Sequence, residues 1–278
     1  MDEMIVKSPA KINIGLNIVS KRDDGFHNLE TIFYPLNIFD EIRFTKSDRF
    51  SFASNDENLN KEKSNLIIKA KEELERISGK ELLVHIYLNK NIPIGAGLGG
   101  GSSNAASTLT GLNNFFDLQI NKEILLQAAL KLGSDVPFFL NPVPSFAESR
   151  GEKLYPINLI IDKNILIVNP GIHVSTKCAF SLIKPKQPEK SLKKIIKQVK
   201  ISFDELKEIA TNDFEEIVFE KHQVIKNVKQ DLIGFCADFA IMTGTGSTVA
   251  GFFTNQNTLK QAEQYFRQSG YFTSQLKI

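Results

Sequence analysis

Residues 93–107 read Pro-Ile-Gly-Ala-Gly-Leu-Gly-Gly-Gly-Ser-Ser-Asn-Ala-Ala-Ser, with five glycines among the seven positions 95–101. Glycine adopts backbone angles that other residues avoid, and its missing side chain lets an anion approach the main-chain amides. Successive amides of this kind form a concave site for anions. Ser102, Ser103 and Asn104 are candidates for capping the following helix, whose positive end would point at the same anion. The segment therefore predicts a site for a nucleotide triphosphate.

Regular elements flank the glycine segment on both sides. Before it, residues 66–77 follow helical spacing, and residues 82–88 form an apolar run typical of a strand. After it, an apolar stripe predicts one helix, and a second helix is predicted over about residues 122–132. The order strand, loop and helix is the one that a phosphate site requires. Cap candidates of the first helix are Ser64, Asn65 and Gly79, and the stripe comprises Ala105, Leu109, Leu112 and Phe116.

The stretch from Lys11 to Ile18 alternates in polarity, which predicts a β-strand with one apolar face. We expect Lys11 and Asn13 to share the opposite face, directed away from the core. Asp23-Asp24-Gly25 predicts a turn, and the apolar residues after His27 predict a strand that returns along the first. The chain is therefore predicted to begin with an antiparallel sheet. The apolar face comprises Ile12, Ile14, Leu16 and Ile18.

The length of the chain predicts two domains, which we place at residues 1–155 and 156–278. Gly133-Ser134-Asp135-Val136-Pro137 ends one element and starts another, because proline restricts the residue before it. A new pattern begins after about residue 152 with a strand over residues 165–168. Further helices are predicted over residues 192–199, 203–209 and 257–266, and further strands over residues 239–242, 249–253 and 271–278.

The composition favours a folded globular protein and argues against nucleic acid as a partner. The 278 residues are 42% hydrophobic, and 34 basic against 32 acidic residues leave a net charge of only +2. Residues 184–200 carry seven lysines, but an apolar stripe at helical spacing runs through them. A helix with one solvated basic face is therefore favoured over a nucleic-acid-binding arm.

Cysteine usage and hydropathy predict a cytoplasmic protein without a membrane partner. Cys178 and Cys236 stand in apolar stretches without metal-binding spacing, so we expect both to be buried free thiols. We expect no leader, because the first residues lack a charged-then-apolar stretch with a small-residue cleavage site, and no run of eighteen apolar residues occurs. His85, His173 and His222 also lack the spacing of metal ligands, so we expect them to be structural or surface groups.

Three well-known glycine loops do not explain the glycine segment. Gly95, Gly97 and Gly100 match the dinucleotide pattern G-x-G-x-x-G. That fold, however, requires a strand after the helix, with an acidic residue at its end. No such strand is predicted here, so Asp117 is a poor candidate for the acidic residue. A Walker loop requires lysine where Gly101 stands, and no Val-Ala-Ile-Lys strand of a protein kinase follows. The remaining class of loop holds phosphate by its backbone and takes its lysine from elsewhere in the chain.

Three segments, in this order along the chain, resemble the motifs of the GHMP kinases, named after galactose, homoserine, mevalonate and phosphomevalonate as substrates. They are Ser8-Pro9-Ala10-Lys11-Ile12-Asn13-Ile14, the glycine segment, and Met242-Thr243-Gly244-Thr245-Gly246-Ser247. The resemblance implies an α+β fold with an N-terminal ATP-binding domain related to the second domain of ribosomal protein S5. It also implies a C-terminal ferredoxin-like domain that contributes to the substrate site, an active site in the cleft between the domains, and the use of ATP and Mg²⁺.

Lys21-Arg22-Asp23-Asp24-Gly25-Phe26-His27-Asn28-Leu29 resembles the Arg-x-Asp-Gly-Tyr-His stretch of one branch of this family. That branch phosphorylates 4-diphosphocytidyl-2-C-methyl-D-erythritol in the non-mevalonate isoprenoid route, so the resemblance implies a cytidine diphospho-methylerythritol as the small-molecule substrate. Phe26 stands where tyrosine is usual, but stacking on cytosine needs only the aromatic face. Other matching segments are Asn65–Ile67, Gly133–Phe139, Phe146–Glu148 and Asn169–Gly171.

The resemblance implies that Lys11 and Asp135 are catalytic. Asp135 would accept the proton of the substrate hydroxyl or hold it in line, while Lys11 would keep Asp135 ionised and offset developing charge. Without the resemblance, each would be read as a structural residue. The implied ATP-binding residues are Asn65, Pro93, Ile94, Gly95, Ala96, Gly97, Leu98, Gly99, Gly100, Gly101, Ser102 and Ser103. The implied substrate-binding residues are Asn13, Phe26, His27, Phe180, Gly244 and Thr245.

Some of these implied roles compete with simpler ones. Phe26 and Phe180 would sandwich the cytosine while His27 bonds its polar edge, but core packing is the usual role of phenylalanine. Asn13 would face the erythritol moiety. Asn65 would approach the adenine, although capping a helix explains it nearly as well. Turn geometry alone would also require the glycines of the Thr243–Ser247 loop.

Two other functions are compatible with the sequence. Another GHMP kinase, of the homoserine or mevalonate type, would share the glycine loop but would not need Asp24-Gly25-Phe26-His27. A catalytically silent nucleotide-binding module would keep the loop and lose the chemistry, although the presence of both Lys11 and Asp135 argues against it. The sequence indicates neither the oligomeric state nor the magnesium ligands.

Overall fold

The computed structural model describes residues 2–61 and 65–276, in which strands and helices are mixed along the chain, as an α+β fold requires. Strands β1 to β12 are Glu3–Lys21, His27–Lys46, Ser51–Ser54, Val84–Asn89, Ser145–Ser149, Lys153–Pro156, Leu159–Ile160, Asn164–Asn169, Ile201–Ser202, Phe239–Met242, Val249–Phe253 and Phe272–Leu276. Helices α1 to α10 are Glu57–Lys61, Leu66–Ser78, Gly100–Phe115, Lys122–Leu132, Val136–Leu140, Thr176–Leu182, Phe203–Lys207, Phe214–Lys221, Gln223–Gly234 and Gln256–Gln268. A 3₁₀ helix spans Leu192–Lys197.

The chain forms two compact units whose segments alternate along the sequence. The first unit contains residues 1–10, 37–94 and 99–142, and the second contains residues 11–36, 95–98 and 143–278. This division is not the single one after residue 155 that the sequence suggested, so the boundary of the two domains stays a prediction.

The first unit combines a small sheet with helices α1 to α5. The carboxyl-terminal part of β2 pairs antiparallel with β4, which pairs parallel with β3, and α2, α3, α4 and α5 pack against one another. Helix α2 begins after Asn65, whose side chain caps it, and ends at Gly79 in the left-handed conformation, as predicted. The other cap candidate, Ser64, lies outside the described residues. Helix α4 has the predicted bounds.

Helix α3 begins earlier than the cap candidates suggested. Gly99 occupies the N-cap position with φ +71, and Gly100 is already helical, so Ser102, Ser103 and Asn104 lie inside the helix and the prediction of a side-chain cap there was wrong. The glycines let the backbone itself make the turn into the helix, which leaves the serine hydroxyls for other partners. The predicted stripe holds for Ala105, Leu109 and Leu112, but α3 ends at Phe115, and this residue is buried in place of Phe116.

The second unit contains a four-stranded antiparallel sheet in the order β10-β11-β8-β12. Along the chain, β8, β10, β11 and β12 alternate with helices as β-α-β-β-α-β, which is the ferredoxin-like arrangement. The predicted C-terminal fold is therefore confirmed. The amino-terminal part of β2 also belongs to this unit and pairs with β5, which pairs with β6.

Strand β1 buries its predicted apolar residues, and it also buries the opposite face. Lys11 is only 4% exposed and Asn13 only 3% exposed, so the expectation that Lys11 points away from the core was wrong. Alternation predicts two faces but not which of them other parts of the chain cover. The four apolar residues Ile12, Ile14, Leu16 and Ile18 are all buried.

Two expectations about the later chain need correction. The helix over residues 192–199 is a short 3₁₀ helix, and Val199 beyond its end is 92% exposed. Cys178 and Cys236 are free but exposed, because most of α6 faces solvent and Cys236 lies in the turn after α9. The last predicted strand is β12, and its expected end at Ile278 lies outside the described residues.

No helix within residues 2–61 and 65–276 is both long enough and apolar enough to cross a membrane.

Candidate active site

Three motifs that lie far apart in the sequence meet in the second unit. The amide of Lys11 donates to the carbonyl of Leu98 at 2.9 Å. The amide of Asn13 donates to Thr243 Oγ1 at 2.8 Å, although 230 positions separate the two residues. The amide of Thr248 donates to the carbonyl of Ala96 at 3.4 Å. The loop of residues 95–98 is therefore held by main-chain contacts from β1 on one side and from the loop after β10 on the other.

Gly97 shows why this loop needs glycine. Its φ is +77, and an added Cβ would lie 2.5 Å from the carbonyl oxygen of Thr243 and 3.0 Å from that of Gly246. Both obstacles are backbone atoms, which cannot rotate away as a side chain does. At Gly95, an added Cβ would lie 2.9 Å from Nδ1 of the exposed His173. Gly97 therefore permits a close backbone approach that any other residue would prevent.

Lys11 is a buried cation with a fixed environment. Its Nζ donates to Asn13 Oδ1 at 2.6 Å and lies 4.6 Å from the centroid of the Phe33 ring. Asn13 Nδ2 in turn donates to Thr31 Oγ1 at 2.8 Å, and Thr31 Oγ1 donates to the carbonyl of Gly15. Because both ends of the Asn13 amide have partners, its oxygen is held facing the ammonium. The predicted contact of Asn13 with the erythritol moiety stays a prediction.

The loop of residues 243–248, which follows β10, is anchored by asparagines that sequence reasoning missed. Asn169 Nδ2 donates to Ser247 Oγ at 3.1 Å and to Thr248 Oγ1 at 2.9 Å. Asn212 Nδ2 donates to the carbonyl of Gly244 at 2.9 Å. The sequence did contain a signal for Asn169, which precedes Pro-Gly in a segment that resembles the family, but no local pattern marks Asn212 as a partner of this loop.

Phe26 presents an exposed aromatic face at the tip of the turn between β1 and β2. The ring is 50% exposed, and the guanidinium carbon of Arg150 lies 4.6 Å from its centroid. The turn is fixed by an ion pair between Arg22 and Asp24 at 2.9 Å and by the amide of Phe26, which donates to Asp24 Oδ1. An exposed ring on a fixed turn is unusual for core packing and suits stacking. Sequence reasoning missed Arg150.

His27 and Phe180 contact each other in the second unit. Their ring centroids are 5.4 Å apart, and Phe180 also contacts Phe214 edge-on at 4.8 Å. Burial lowers the pKa of His27 below its usual value, and the positive charge of Lys21 adds to this shift. The neutral imidazole, which has one donor and one acceptor nitrogen, therefore predominates at pH 7. The sandwich of cytosine between Phe26 and Phe180 stays a prediction.

Three buried polar atoms of the first unit, on Ser8, Asn65 and Ser103, have no hydrogen-bond partner among the described residues. Asn65 Oδ1 caps α2 by accepting from the amide of Ile67 at 2.9 Å, while its Nδ2 is left without a partner. Ser103 is fully buried in the first turn of α3, and its Oγ also lacks a partner within the described ranges. Unsatisfied buried polar atoms are costly, so each indicates a ligand group or water at that position. Capping and ligand binding are therefore compatible roles for Asn65.

Asp135 stands at the N-cap position of the short helix α5 and is half-buried. Within the described chain, its carboxylate makes no capping hydrogen bond to α5. The simple interpretation of this aspartate as a helix cap therefore lacks support.

Asp40 is a buried carboxylate that the sequence analysis overlooked. It is inaccessible to solvent and accepts from Lys90 Nζ at 2.5 Å, from the amides of Asn91 and Ile92 at 2.8 Å each, and from Asn104 Nδ2 at 2.9 Å. Burial lowers the pKa of Lys90, and Asp40 opposes that shift. The carboxylate of Asp40 thus connects the residues that follow β4 to the beginning of α3.

Asp40→Ala is expected to lower the free energy of unfolding by about 3–5 kcal/mol, because it leaves the Lys90 ammonium buried without its counterion. The double variant Asp40→Ala with Lys90→Met should recover part of this loss by removing the stranded charge. Urea denaturation of the single and double variants measures both effects. A single variant as stable as the parent protein would contradict this account of the pair.

Comparison with known proteins agrees with this arrangement. The GHMP kinases N terminal domain matches residues 65–141, and the GHMP kinases C terminal domain matches residues 189–271. Curated relatives in this family are about 40% identical over nearly the whole chain. The chain belongs to the GHMP kinase family, and it is accordingly a small-molecule kinase that uses ATP.

Two of the curated relatives have the same name. The chain is 41% identical over 261 residues to the 4-diphosphocytidyl-2-C-methyl-D-erythritol kinase of Parabacteroides distasonis, a match covering 93% of this chain and 94% of the relative. It is 40% identical over 280 residues to that of Bacteroides fragilis, which covers 99% of this chain and 100% of the relative. A crystal structure of 4-(cytidine 5'-diphospho)-2C-methyl-D-erythritol kinase matches with a TM-score of 0.81 and 27% identity, over 99% of this chain and 100% of that chain.

A solved structure of lower sequence identity shares the fold alone. Homoserine kinase from Cytophaga hutchinsonii matches with a TM-score of 0.68 at 16% identity, over 99% of this chain and 94% of that chain.

Proposed function

We propose that this chain transfers the γ-phosphoryl group of ATP to a hydroxyl of 4-diphosphocytidyl-2-C-methyl-D-erythritol, a step of non-mevalonate isoprenoid precursor synthesis. The single observation that carries most weight is the meeting of Lys11, the loop of residues 95–98 and the loop after β10 through hydrogen bonds of the second unit. The names of the near-full-length relatives and the exposed Phe26 support the choice of substrate.

The nucleotide is proposed to bind through the backbone of the glycine segment. Gly95, Gly97 and Gly99 all have positive φ. Left-handed residues that alternate with right-handed ones are the backbone pattern of anion-binding concavities. The first amides of α3 add the positive end of a sixteen-residue helix. The free donor of Asn65 is proposed to bond an adenine ring nitrogen, which accepts hydrogen bonds.

Mg²⁺ is proposed to accompany the triphosphate. Within the described residues, no group of three or more His, Cys, Asp or Glu side chains is arranged to hold a metal ion. The buried, unpartnered hydroxyl of Ser103 is an oxygen donor of the hard type that Mg²⁺ takes, and the triphosphate oxygens would complete the ligand set. When bound, the ion offsets negative charge on the transferred group.

Lys11 and Asp135 are proposed to act on the same transfer. Phosphoryl transfer depends on positioning and on electrostatic stabilisation of the equatorial oxygens, which a buried ammonium provides strongly. Asp135 is proposed to accept the proton from the acceptor hydroxyl or to align that hydroxyl with the phosphorus. Lys11 would at the same time favour the ionised form of the carboxylate.

The cytidine end is proposed to bind at the turn between β1 and β2. Phe26 offers a ring face, and stacking of a base on such a face contributes about 1–3 kcal/mol. Neutral His27 offers both a donor and an acceptor to the edge of cytosine. Phe180, Gly244 and Thr245 are proposed to complete the contacts with the substrate. Thr245 Oγ1 lies 3.2 Å from Thr176 Oγ1, so this threonine is already held in place by a neighbouring hydroxyl.

The test is incubation of the purified protein with ATP, Mg²⁺ and the cytidine diphospho-sugar alcohol, followed by phosphorus NMR. A new phosphomonoester resonance on the acceptor is expected, together with ADP. Homoserine and mevalonate serve as matched alternative acceptors. Faster phosphorylation of either one would reject the proposed substrate, and no transfer to any acceptor would reject the enzymatic function.

Asp135→Asn is expected to lower kcat by about 10²-fold or more, because the amide accepts protons poorly and carries no charge. Nucleotide affinity should stay close to that of the parent protein. Steady-state kinetics and titration with a non-hydrolysable ATP analogue measure the two quantities. Asp162→Asn is the matched control, since that side chain is 67% exposed. An Asp135→Asn protein with parental kcat would remove this residue from the mechanism.

A further inference from the structure

Asn212 is a buried amide that the phosphoryl-transfer scheme above does not use. It is 5% exposed and lies just before α8. Its Nδ2 donates to the carbonyl of Met242 at 2.7 Å and to that of Gly244 at 2.9 Å, while its Oδ1 accepts from the amide of Phe214 at 2.9 Å. Both hydrogens of the amide nitrogen thus have acceptors, and the orientation of the side chain is fixed. The two acceptors stand on either side of Thr243.

The residues next to Asn212 hold the same region. Glu215 Oε1 accepts from the amide of Met242 at 2.9 Å, so both polar backbone groups of Met242 have side-chain partners in this segment. The amide of Leu16 in β1 donates to the carbonyl of Thr211 at 2.7 Å, and the carbonyl of Leu16 accepts from the amide of Asp213 at 2.9 Å. The segment of residues 211–215 therefore ties β1 to the end of β10.

Thr243 continues this connection to the buried lysine. It is fully buried, and its Oγ1 accepts from the amide of Asn13 at 2.8 Å. Asn13 Oδ1 accepts from Lys11 Nζ at 2.6 Å. The path from Asn212 to the ammonium of Lys11 runs through the carbonyl of Met242, along the backbone to Thr243, and through hydrogen bonds to Asn13 and Lys11. These five residues of the second unit are each at most 5% exposed.

We infer that Asn212 is a positioning residue for Lys11, acting through Thr243 and Asn13. The inference rests on the proposed function, in which Lys11 stabilises the transferred phosphoryl group. If the carbonyls on either side of Thr243 lose their common donor, the Thr243 hydroxyl shifts, and the backbone of Asn13 follows. A displacement of about 1 Å in a catalytic group is enough to slow a reaction by about 100-fold.

The first test is Asn212→Asp, which keeps the shape of the side chain and places a carboxylate oxygen against two carbonyl oxygens. We expect kcat to fall by about 10-fold to 100-fold, while the affinity for a non-hydrolysable ATP analogue changes by less than about threefold. Asn227→Asp makes the same chemical change at an exposed site of α9 and should leave kcat unaltered. A parental kcat in folded Asn212→Asp would overturn the inference.

A double-mutant cycle with Lys11→Met separates positioning from a general loss of structure. If Asn212 acts through Lys11, Asn212→Asp should cause little further loss of kcat once the ammonium is gone. If the factors by which the two single variants lower kcat simply multiply in the double variant, Asn212 acts by a route that does not involve Lys11. Both outcomes require that the parent protein phosphorylates its acceptor and that Lys11→Met slows it, so failure of the proposed function is recognised before the cycle begins.

Thr243 provides a second pair of variants in case Asn212→Asp does not fold. Thr243→Val removes the hydroxyl at nearly constant volume, whereas Thr243→Ser retains it. We expect kcat to fall at least about tenfold in the valine variant and to remain near the parental value in the serine variant. Equal rates in the two folded variants would overturn the proposed path.

Discussion

Lys11→Ala is expected to lower kcat by about 10³-fold while the affinity for nucleotide stays nearly unchanged. The magnitude follows from the cost of removing one cation that stabilises a transferring phosphoryl group. The buried location of Lys11 strengthens its field, because few water molecules screen a charge that is 4% exposed. Steady-state kinetics give kcat, and titration with a non-hydrolysable ATP analogue gives the dissociation constant.

Two companion variants make this result specific. Lys11→Met keeps most of the apolar stem and removes only the ammonium, so a loss of activity equal to that of the alanine variant assigns the effect to the charge. Lys7→Ala is the matched control, because Lys7 lies four residues earlier on β1, on the same side of the strand, and is exposed. A folded Lys11→Met enzyme with near-parental turnover would exclude the proposed role of Lys11.

Gly97→Ala is expected to reduce kcat/KM for ATP by about 10²-fold or more. The added methyl group would meet the carbonyl oxygens of Thr243 and Gly246, and the positive φ of +77 is itself unfavourable for alanine by about 1–2 kcal/mol. Relief of the clash requires the two loops to separate, which displaces amides proposed to bind the triphosphate, and small displacements are costly in catalysis.

Gly270→Ala separates the clash from the unfavourable backbone angle. Gly270 has φ +78, nearly the same as Gly97, but no atom of residues 2–61 and 65–276 lies within 4 Å of the added Cβ. This variant should lose about 1–2 kcal/mol of stability in urea denaturation and retain full activity. If Gly97→Ala also loses only stability and retains full activity, the close backbone approach at Gly97 is not required for function.

Local sequence patterns predicted the helices and strands that show a clear apolar face of their own. Helices α2 and α4 and strands β10 and β11 have the predicted bounds or lie within a residue of them, because period and capping mark both ends. The sequence analysis did not predict β5, β6, α6, α8 or α9. Strands β5 and β6 carry too few alternations for a period to be read, and pairing with β2 or with each other decides them. Helix α9 spans twelve residues and buries Ile225, Val228 and Leu232 at helical spacing, so its period was present in the sequence and was overlooked.

The sequence predicted those parts of the candidate site that lie in recognisable motifs. The glycine segment, the strand with Lys11 and the Thr243–Ser247 loop were each visible in the sequence. Asp40, Asn212 and Arg150 were not, because an isolated polar residue carries no signal until its partners are known. Asp40, for example, receives hydrogen bonds from residues 50 or more positions away.

The order of residues by itself determined which positions can take left-handed angles at little cost, which faces of strands and helices are apolar, and which residue types are available for phosphoryl transfer. These properties depend on the steric limits of single residues and on periods of a few positions. Tertiary structure alone decided that Lys11 is buried, that Gly97 lies against Thr243, and that Asn13 receives support from a residue 230 positions away. Contacts of this range arise from the packing of whole elements, whose summed burial outweighs any local preference.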